Sequence, residues 1–289
     1  MPTSFAHGRR FPVADTHLSP DAALFVTVSD DTFLPTPFSR GPWNPEWLHG
    51  GPVAALLAHS VEQLASDGVD WFIARLTVEL ERPVPVEPLR CHAEVTRTGR
   101  KVSIVEATIT NAETGVVLAR ARALRIRAAH VPLPFDDPDL GPMLAIEPAP
   151  LGPAHGRPGS REEDAPIAFH RGGTEHRFVR EAALGAGPVF DWIRVCVPLL
   201  PQQALTPLER VAAAVDFASG ISGVLPWDSH SFVNPDLTIH LFRPLRGEWV
   251  GMASATHHGH HGIGMTDTAV FDLDGRVGSS NQSLLLDLR

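Results

Sequence analysis

Leu76-Thr-Val-Glu-Leu-Glu-Arg-Pro83 returns further along the chain as Leu237-Thr-Ile-His-Leu-Phe-Arg-Pro244. The offset is 161 residues, and it continues without a gap. Gly99-Arg-Lys-Val-Ser-Ile-Val-Glu-Ala-Thr-Ile109 falls on His260-His-Gly-Ile-Gly-Met-Thr-Asp-Thr-Ala-Val270. Farther on, Thr114-Gly-Val-Val matches Asp274-Gly-Arg-Val with a shift of one. A period this long is not the unit of a solenoid. It implies two copies of one small domain, fused. Residues that the copies do not share are then the first place to look for chemistry, because a site needed once survives in one copy.

The chain has 289 residues, enough for two ordinary domains with ample core. Hydrophobic residues make up 43% and charged residues 20%, the balance of a globular protein. The formal charge of −9 argues against nucleic acid as a partner, since phosphate recognition needs a basic surface. No apolar run reaches the length of a membrane span, and Met1 to Arg10 has no apolar signal core. The expected location is therefore the cytoplasm. Cys91 and Cys196 sit in apolar, strand-like stretches and read as two lone thiols rather than a disulfide.

In each copy the pattern gives one helix followed by a run of strands. Gly41 to Pro52 reads as a loop by its Gly and Pro content. A helix follows, with Pro52 suited to its first position and Val53, Leu56, Leu57, Val61 and Leu64 as its apolar face. Strands are expected at 72–82, 89–98, 101–111 and 116–127. In the second copy Thr206-Pro-Leu-Glu209 is a capping box that opens a helix from Pro207 to about Ala218. Strands resume at 236–243, 248–256, 263–272 and 277–288. The expected layout is α+β: a domain at 20–130, a Pro/Gly-rich linker at 131–167 and a second domain at 168–289.

Four stretches carry a resemblance to a known family: Leu48-His-Gly-Gly-Pro-Val-Ala-Ala-Leu-Leu57, Arg75 to Pro83, Asn234 to Pro244, and Gly275 to Gln282. In order and spacing they resemble the double-hotdog acyl-CoA thioesterases of the thioesterase II type. The resemblance covers about residues 30–127 and 170–289. It implies two tandem hotdog domains, each an antiparallel sheet wrapped around a central helix. It also implies acyl-CoA as substrate, hydrolysis to a free acid and CoA without a covalent intermediate, and no cofactor or metal. Two fused copies supply the pair that single-domain relatives make by dimerising, so a monomer fits, and exposed sheet edges leave room for a homo-oligomer.

Asp216 is the first candidate for the chemistry. It lies within the expected second helix, a costly place for a carboxylate, and the offset puts Ala55 opposite it. Asn234 precedes a strand whose twin lacks the amide, and Gln282 stands among small polar residues where the first copy has Ala119 to Arg122. The resemblance assigns Asp216 as base and Asn234 and Gln282 as the groups that position a water. Asn234 departs from the Thr of the better-known members, although an amide can also hold a water. Only one of Asn281 and Gln282 can point inward, because neighbours on a strand face opposite sides. Backbone N–H groups at His49, Gly50 and Gly51, at a helix start, are the expected oxyanion donors. The bland readings are a solvated Asp216, an ordinary Asn-Pro turn at 234–235, and a tight Gly-Gly helix start.

Other chemistries find less support. Gly-x-Ser-x-Gly is missing, as are the phosphate loop and the dinucleotide glycine fingerprint. His257-His-Gly-His-His261 falls on a hairpin turn with no cysteine beside it, and reads as a surface cluster rather than a metal site. Two rivals remain: a non-catalytic acyl-CoA or polyketide binder, and a hotdog enoyl-CoA hydratase. The second is disfavoured because the nearest histidine, His230, reads as a loop residue 14 positions past Asp216.

Overall fold

The computed structural model describes residues 22–132, 166–179 and 187–289, so most of the expected linker lies outside the described residues. Among the described residues, thirteen strands form one antiparallel sheet. They are β1 (Phe25–Ser29), β2 (Thr32–Pro35), β3 (Trp71–Leu80), β4 (Leu89–Thr98), β5 (Val102–Asn111), β6 (Val117–Arg127), β7 (Thr174–Phe178) and β8 (Val189–Val195), then β9 (His230–Val233), β10 (Asp236–Leu241), β11 (Trp249–His258), β12 (Ile263–Asp272) and β13 (Gly275–Leu288). The order across the sheet is β1-β2-β4-β5-β6-β3-β10-β13-β12-β11-β8-β7, with β9 added beside β13. That order is a palindrome under the repeat. Each strand of one half stands at the mirrored place in the other.

The halves meet where β3 pairs with β10. In that register Thr77 faces Thr238, its own twin at an offset of 161, and Thr238 Oγ1 lies 3.2 Å from Thr77 Oγ1. A pseudo-twofold axis therefore passes between these two side chains. A second tie joins Leu24 and Phe25, whose N–H groups donate to the carbonyls of Pro198 and Leu199, each at 2.9 Å.

The register also corrects the repeat. Ala123 pairs with Leu76 and Val105, while Gln282 pairs with Thr266, the twin of Val105. The offset in the last strand is thus 159, not 160, because the β12–β13 turn is two residues shorter than the β5–β6 turn. A slip of one would turn every side chain to the other face, whereas a slip of two preserves the faces. Gln282 accordingly stands opposite Ala123 and points inward, 2% exposed, while Asn281 is exposed.

Helix α1 (Gly50–Glu62) begins at Gly50, two residues ahead of the expected Pro52 start, with His49 as its N-cap. It is buried continuously from Gly51 to Ala58, on all sides, as suits a helix between a sheet and a second helix. The second helix is not continuous to Ala218. Helix α2 (Pro207–Val215) ends at Asp216, and the short α3 (Ala218–Ser222) follows. Gln282 accounts for the break. Its Oε1 accepts the Ser219 N–H at 3.1 Å, the donor a continuous helix would give to Val215, and Phe217 N–H turns to Ala214 instead. The capping box at Thr206 is present in full.

Where α1 and α2 pack together, buried Glu209 meets half-buried Glu62. His59 Nδ1 lies 2.8 Å from Glu209 Oε1, and Thr206 Oγ1 donates to Glu62 Oε2 at 2.7 Å. Burial pushes the Glu62 carboxyl up to about 7, with the Thr206 hydrogen bond opposing and the Glu209 charge adding. A carboxyl raised on folding stabilises the fold fully below its unfolded value near 4.5, and that contribution is lost as pH rises through 7. Glu62→Gln mimics the protonated form. It should raise the melting temperature at pH 8, by the equivalent of roughly 3 kcal/mol at most, and change little at about pH 4.5. Equal melting points of variant and parent at pH 8 would contradict this. Of the two thiols, Cys91 is buried and Cys196 half-buried, and both are free. No described helix is long and apolar enough to cross a membrane.

Candidate active site

Asp216 sits at the break between α2 and α3 and is 8% exposed. Its carboxylate meets the start of α1 from the other half of the molecule. His49 Nδ1 lies 2.8 Å from Asp216 Oδ2, and Asn234 Nδ2 donates to Asp216 Oδ1 at 2.7 Å. His49 Nδ1 is also 3.1 Å from the Gly51 nitrogen. An ionised carboxylate only accepts, so Nδ1 carries the ring proton and the Gly51 N–H shares the same anion. Burial pushes the Asp216 carboxyl up. The electrostatic pull of His49 and the hydrogen bonds from His49, Asn234 and Gly51 outweigh it and hold the group below the ordinary carboxylate value.

Glycine is required at both positions after His49. A Cβ on Gly50 would stand 2.7 Å from both carboxylate oxygens, and one on Gly51 would stand 2.3 Å from the Ala213 carbonyl oxygen. The Gly-Gly pair thus lets two helices approach and lets a carboxylate rest on the backbone of a helix start. Of the three amides expected as oxyanion donors, His49 N–H goes to the Ser39 carbonyl and Gly51 N–H is taken up in the Asp216 cluster. Gly50, first in the helix, has an N–H without a helical acceptor.

Asp216, Asn234 and His49 are therefore brought together, and Gln282 lies directly behind them. Its amide spans the break: Oε1 on Ser219 N–H, and Nε2 3.4 Å from the Asp216 carbonyl oxygen. Both of its ends engage backbone rather than the carboxylate. His230 opens β9 and does not lie in a loop; its Nδ1 is 3.0 Å from Ser229 Oγ. In the histidine cluster, His257 Nε2 lies 3.6 Å from Asp267 Oδ2 on the exposed β11–β12 hairpin.

The cluster forms the floor of a cavity of about 530 Å³ with mainly apolar walls. Trp43 stacks on Trp227 at 4.8 Å, Phe232 packs edge-on to Trp227 at 4.6 Å, and the Arg289 guanidinium lies 5.0 Å over Trp43. Arg82 also lines the cavity. Its twin, Arg243, forks onto the buried carboxylate of Asp272. In the first copy Asn111 stands in place of that acid, so Arg82 lacks the equivalent anchor. Sequence reasoning missed these wall residues. The Trp43 and Trp47 pair flanking a Pro-rich loop was the available signal.

The acyl-CoA thioesterase N-terminal domain model matches residues 39–126, and the acyl-CoA thioesterase C-terminal domain model matches residues 147–286. The chain belongs to this acyl-CoA thioesterase family. Among solved structures, it is similar to an acyl-CoA thioesterase II from Mycobacterium marinum, with a TM-score of 0.64 and 18% identity over 92% of this chain and 95% of that one. It is also similar to a protein of unknown function with a hot dog fold from Alicyclobacillus acidocaldarius, with a TM-score of 0.63 and 16% identity over 93% and 97%. No curated protein matches the chain.

Proposed function

We propose that this protein is a double-hotdog hydrolase that cleaves acyl-CoA thioesters with a water held at Asp216. The observation that carries the reading is the buried, ionised Asp216 carboxylate gripped by His49, Asn234 and Gly51 on the floor of an apolar cavity. A carboxylate has about four acceptor sites. Three are occupied, leaving one for a water. The acyl chain would lie along the apolar walls, and Arg82 and Arg289 suit the phosphates of CoA. The water oxygen adds to the thioester carbonyl carbon, its proton passes to the base, and the C–S bond breaks as CoA thiolate departs. Gly50 N–H is the first candidate donor to the oxyanion. Gln282 acts as a positioning residue, fixing the helix break that presents Asp216.

The short His49 Nδ1 to Asp216 Oδ2 contact favours a second version of the same step, in which Asp216 orients the ring and His49 Nε2 takes the proton. Replacing His49 separates the two: a His49→Gln protein that keeps turnover within about tenfold of the parent assigns the base to the carboxylate, and one that loses it as fully as Asp216→Asn assigns it to the imidazole. The function itself is tested by release of CoA thiol from short, medium and long acyl-CoAs. Release from a preferred chain length is expected. Saturable binding with no release from any of them would replace this reading with the non-catalytic binder.

A further inference from the structure

The pseudo-twofold axis gives the cavity over Asp216 a counterpart. A second cavity, of about 560 Å³, lies at the opposite end of the paired helices. Its walls are the twins of the first: Leu241 for Leu80, Pro244 for Pro83, Trp71 for Phe232, and Phe72 for Val233. The polar cluster is gone. Ala55 replaces Asp216, Ile73 replaces Asn234, and Arg210 replaces His49. A cavity left without a task would be expected to fill with larger apolar side chains, since close packing is the normal state of an interior. This one has instead acquired a cation.

Arg125, on β6, stands where the second copy has Leu284 in β13. It lines the cavity and is only 5% exposed. Among the described residues its one side-chain hydrogen bond is from Nη2 to Ser103 Oγ, at 3.0 Å, and its Nε has no partner. Its guanidinium lies 5.6 Å over the Trp71 ring. Asp67 acts on it electrostatically, but no ion pair to any carboxylate within 4.0 Å forms among the described residues. A buried guanidinium short of acceptors is costly and fits a two-oxygen anion. Glu62 and Asp70 also line the cavity, and Thr206 holds the Glu62 carboxyl.

We propose that this second cavity is a non-catalytic site for a carboxylate carried on an apolar chain, with Arg125 receiving the carboxylate and the inherited walls receiving the chain. The proposal does not require that the first cavity hydrolyse anything. Equilibrium dialysis of dodecanoate against the full chain tests it. The parent should show a binding site that Arg125→Met weakens at least tenfold, and that dodecanol, without the charge, occupies at least tenfold more weakly. Ile73→Trp, which fills the cavity from the strand paired with Arg125 and leaves the Arg125 charge in place, should remove the same site. Hydrolysis by Arg125→Met should stay within twofold of the parent, so failure of the thioesterase reading would show separately. Should Arg125→Met fail to fold, Ile73→Trp and the dodecanol comparison carry the test. Unchanged dodecanoate binding in Ile73→Trp, or equal binding of dodecanol and dodecanoate by the parent, would overturn the proposal.

Discussion

Asparagine in place of Asp216 is expected to lower acyl-CoA turnover by about 10²–10⁴-fold, the usual scale for removing a general base. The change is nearly isosteric, so size is not at issue. Asparagine presents one acceptor oxygen where the site offers three donors, from His49, Asn234 and Gly51. Its own NH2 must then face one of them. The water loses its acceptor, and the His49 ring loses the anion that fixes its proton on Nδ1. Both versions of the proposed step fail together. The measurement is single-turnover release of CoA thiol, run beside a thermal melt. Turnover at the parental rate would remove Asp216 from the mechanism. A carboxyl held low in the fold also stabilises the protein above its unfolded value of 3.8, and that contribution is lost as pH falls through the folded value. The gap in melting temperature between the Asp216→Asn protein and the parent should therefore narrow as the solution is acidified.

Gly51→Ala should be severely damaging for the addition of a single methyl group. The added carbon would lie 2.3 Å from the Ala213 carbonyl oxygen and 2.9 Å from Phe169 Cε1. A carbonyl in a helix cannot swing aside, so α1 and α2 must part. Overpacking of this kind costs about 1–3 kcal/mol, and a backbone clash belongs at the upper end. The same displacement opens the contact between His49 and Asp216, and misplacement by about 1 Å is worth roughly 10²-fold in rate. Gly68→Ala is the control. Gly68 has a φ of +76° and nothing within 4 Å of an added Cβ, so its cost is conformational strain alone, about 1 kcal/mol. A Gly51→Ala protein that melts and turns over like Gly68→Ala would show that the helices tolerate separation.

Much of the architecture was legible because the repeat is written in the strands. The apolar alternation fixed β4 and β12 to the residue, and the Thr206 capping box marked the start of α2 correctly. Asp216 and Asn234 were legible as unshared residues, and the structure brings them within 2.7 Å. The helix break at Asp216 was hidden, because it depends on Gln282, 66 residues away, reaching the backbone. Local periodicity cannot report a side chain arriving from another element. The true offset of the last strand was hidden as well. Sequence matching preferred a shift of one near the turn, while the sheet needs an even shift to keep Gln282 inward. The role of Arg125 was invisible for a related reason: only pairing through β5 places it opposite Leu284.

The Thr77 and Thr238 contact also bears on how the chain reaches its fold. Within each half, β4 to β6 and β11 to β13 are joined by short turns and can zip from neighbour to neighbour. The β3–β10 ladder instead joins residues 161 apart. The entropy of closing so long a loop grows only logarithmically, so the ladder is little weaker for it at equilibrium. Rates are governed differently, because pairings between distant residues slow folding. Each half is expected to form first and the central ladder last, so the candidate site, which draws His49 from one half and Asp216 from the other, is the final part of the molecule to come into being.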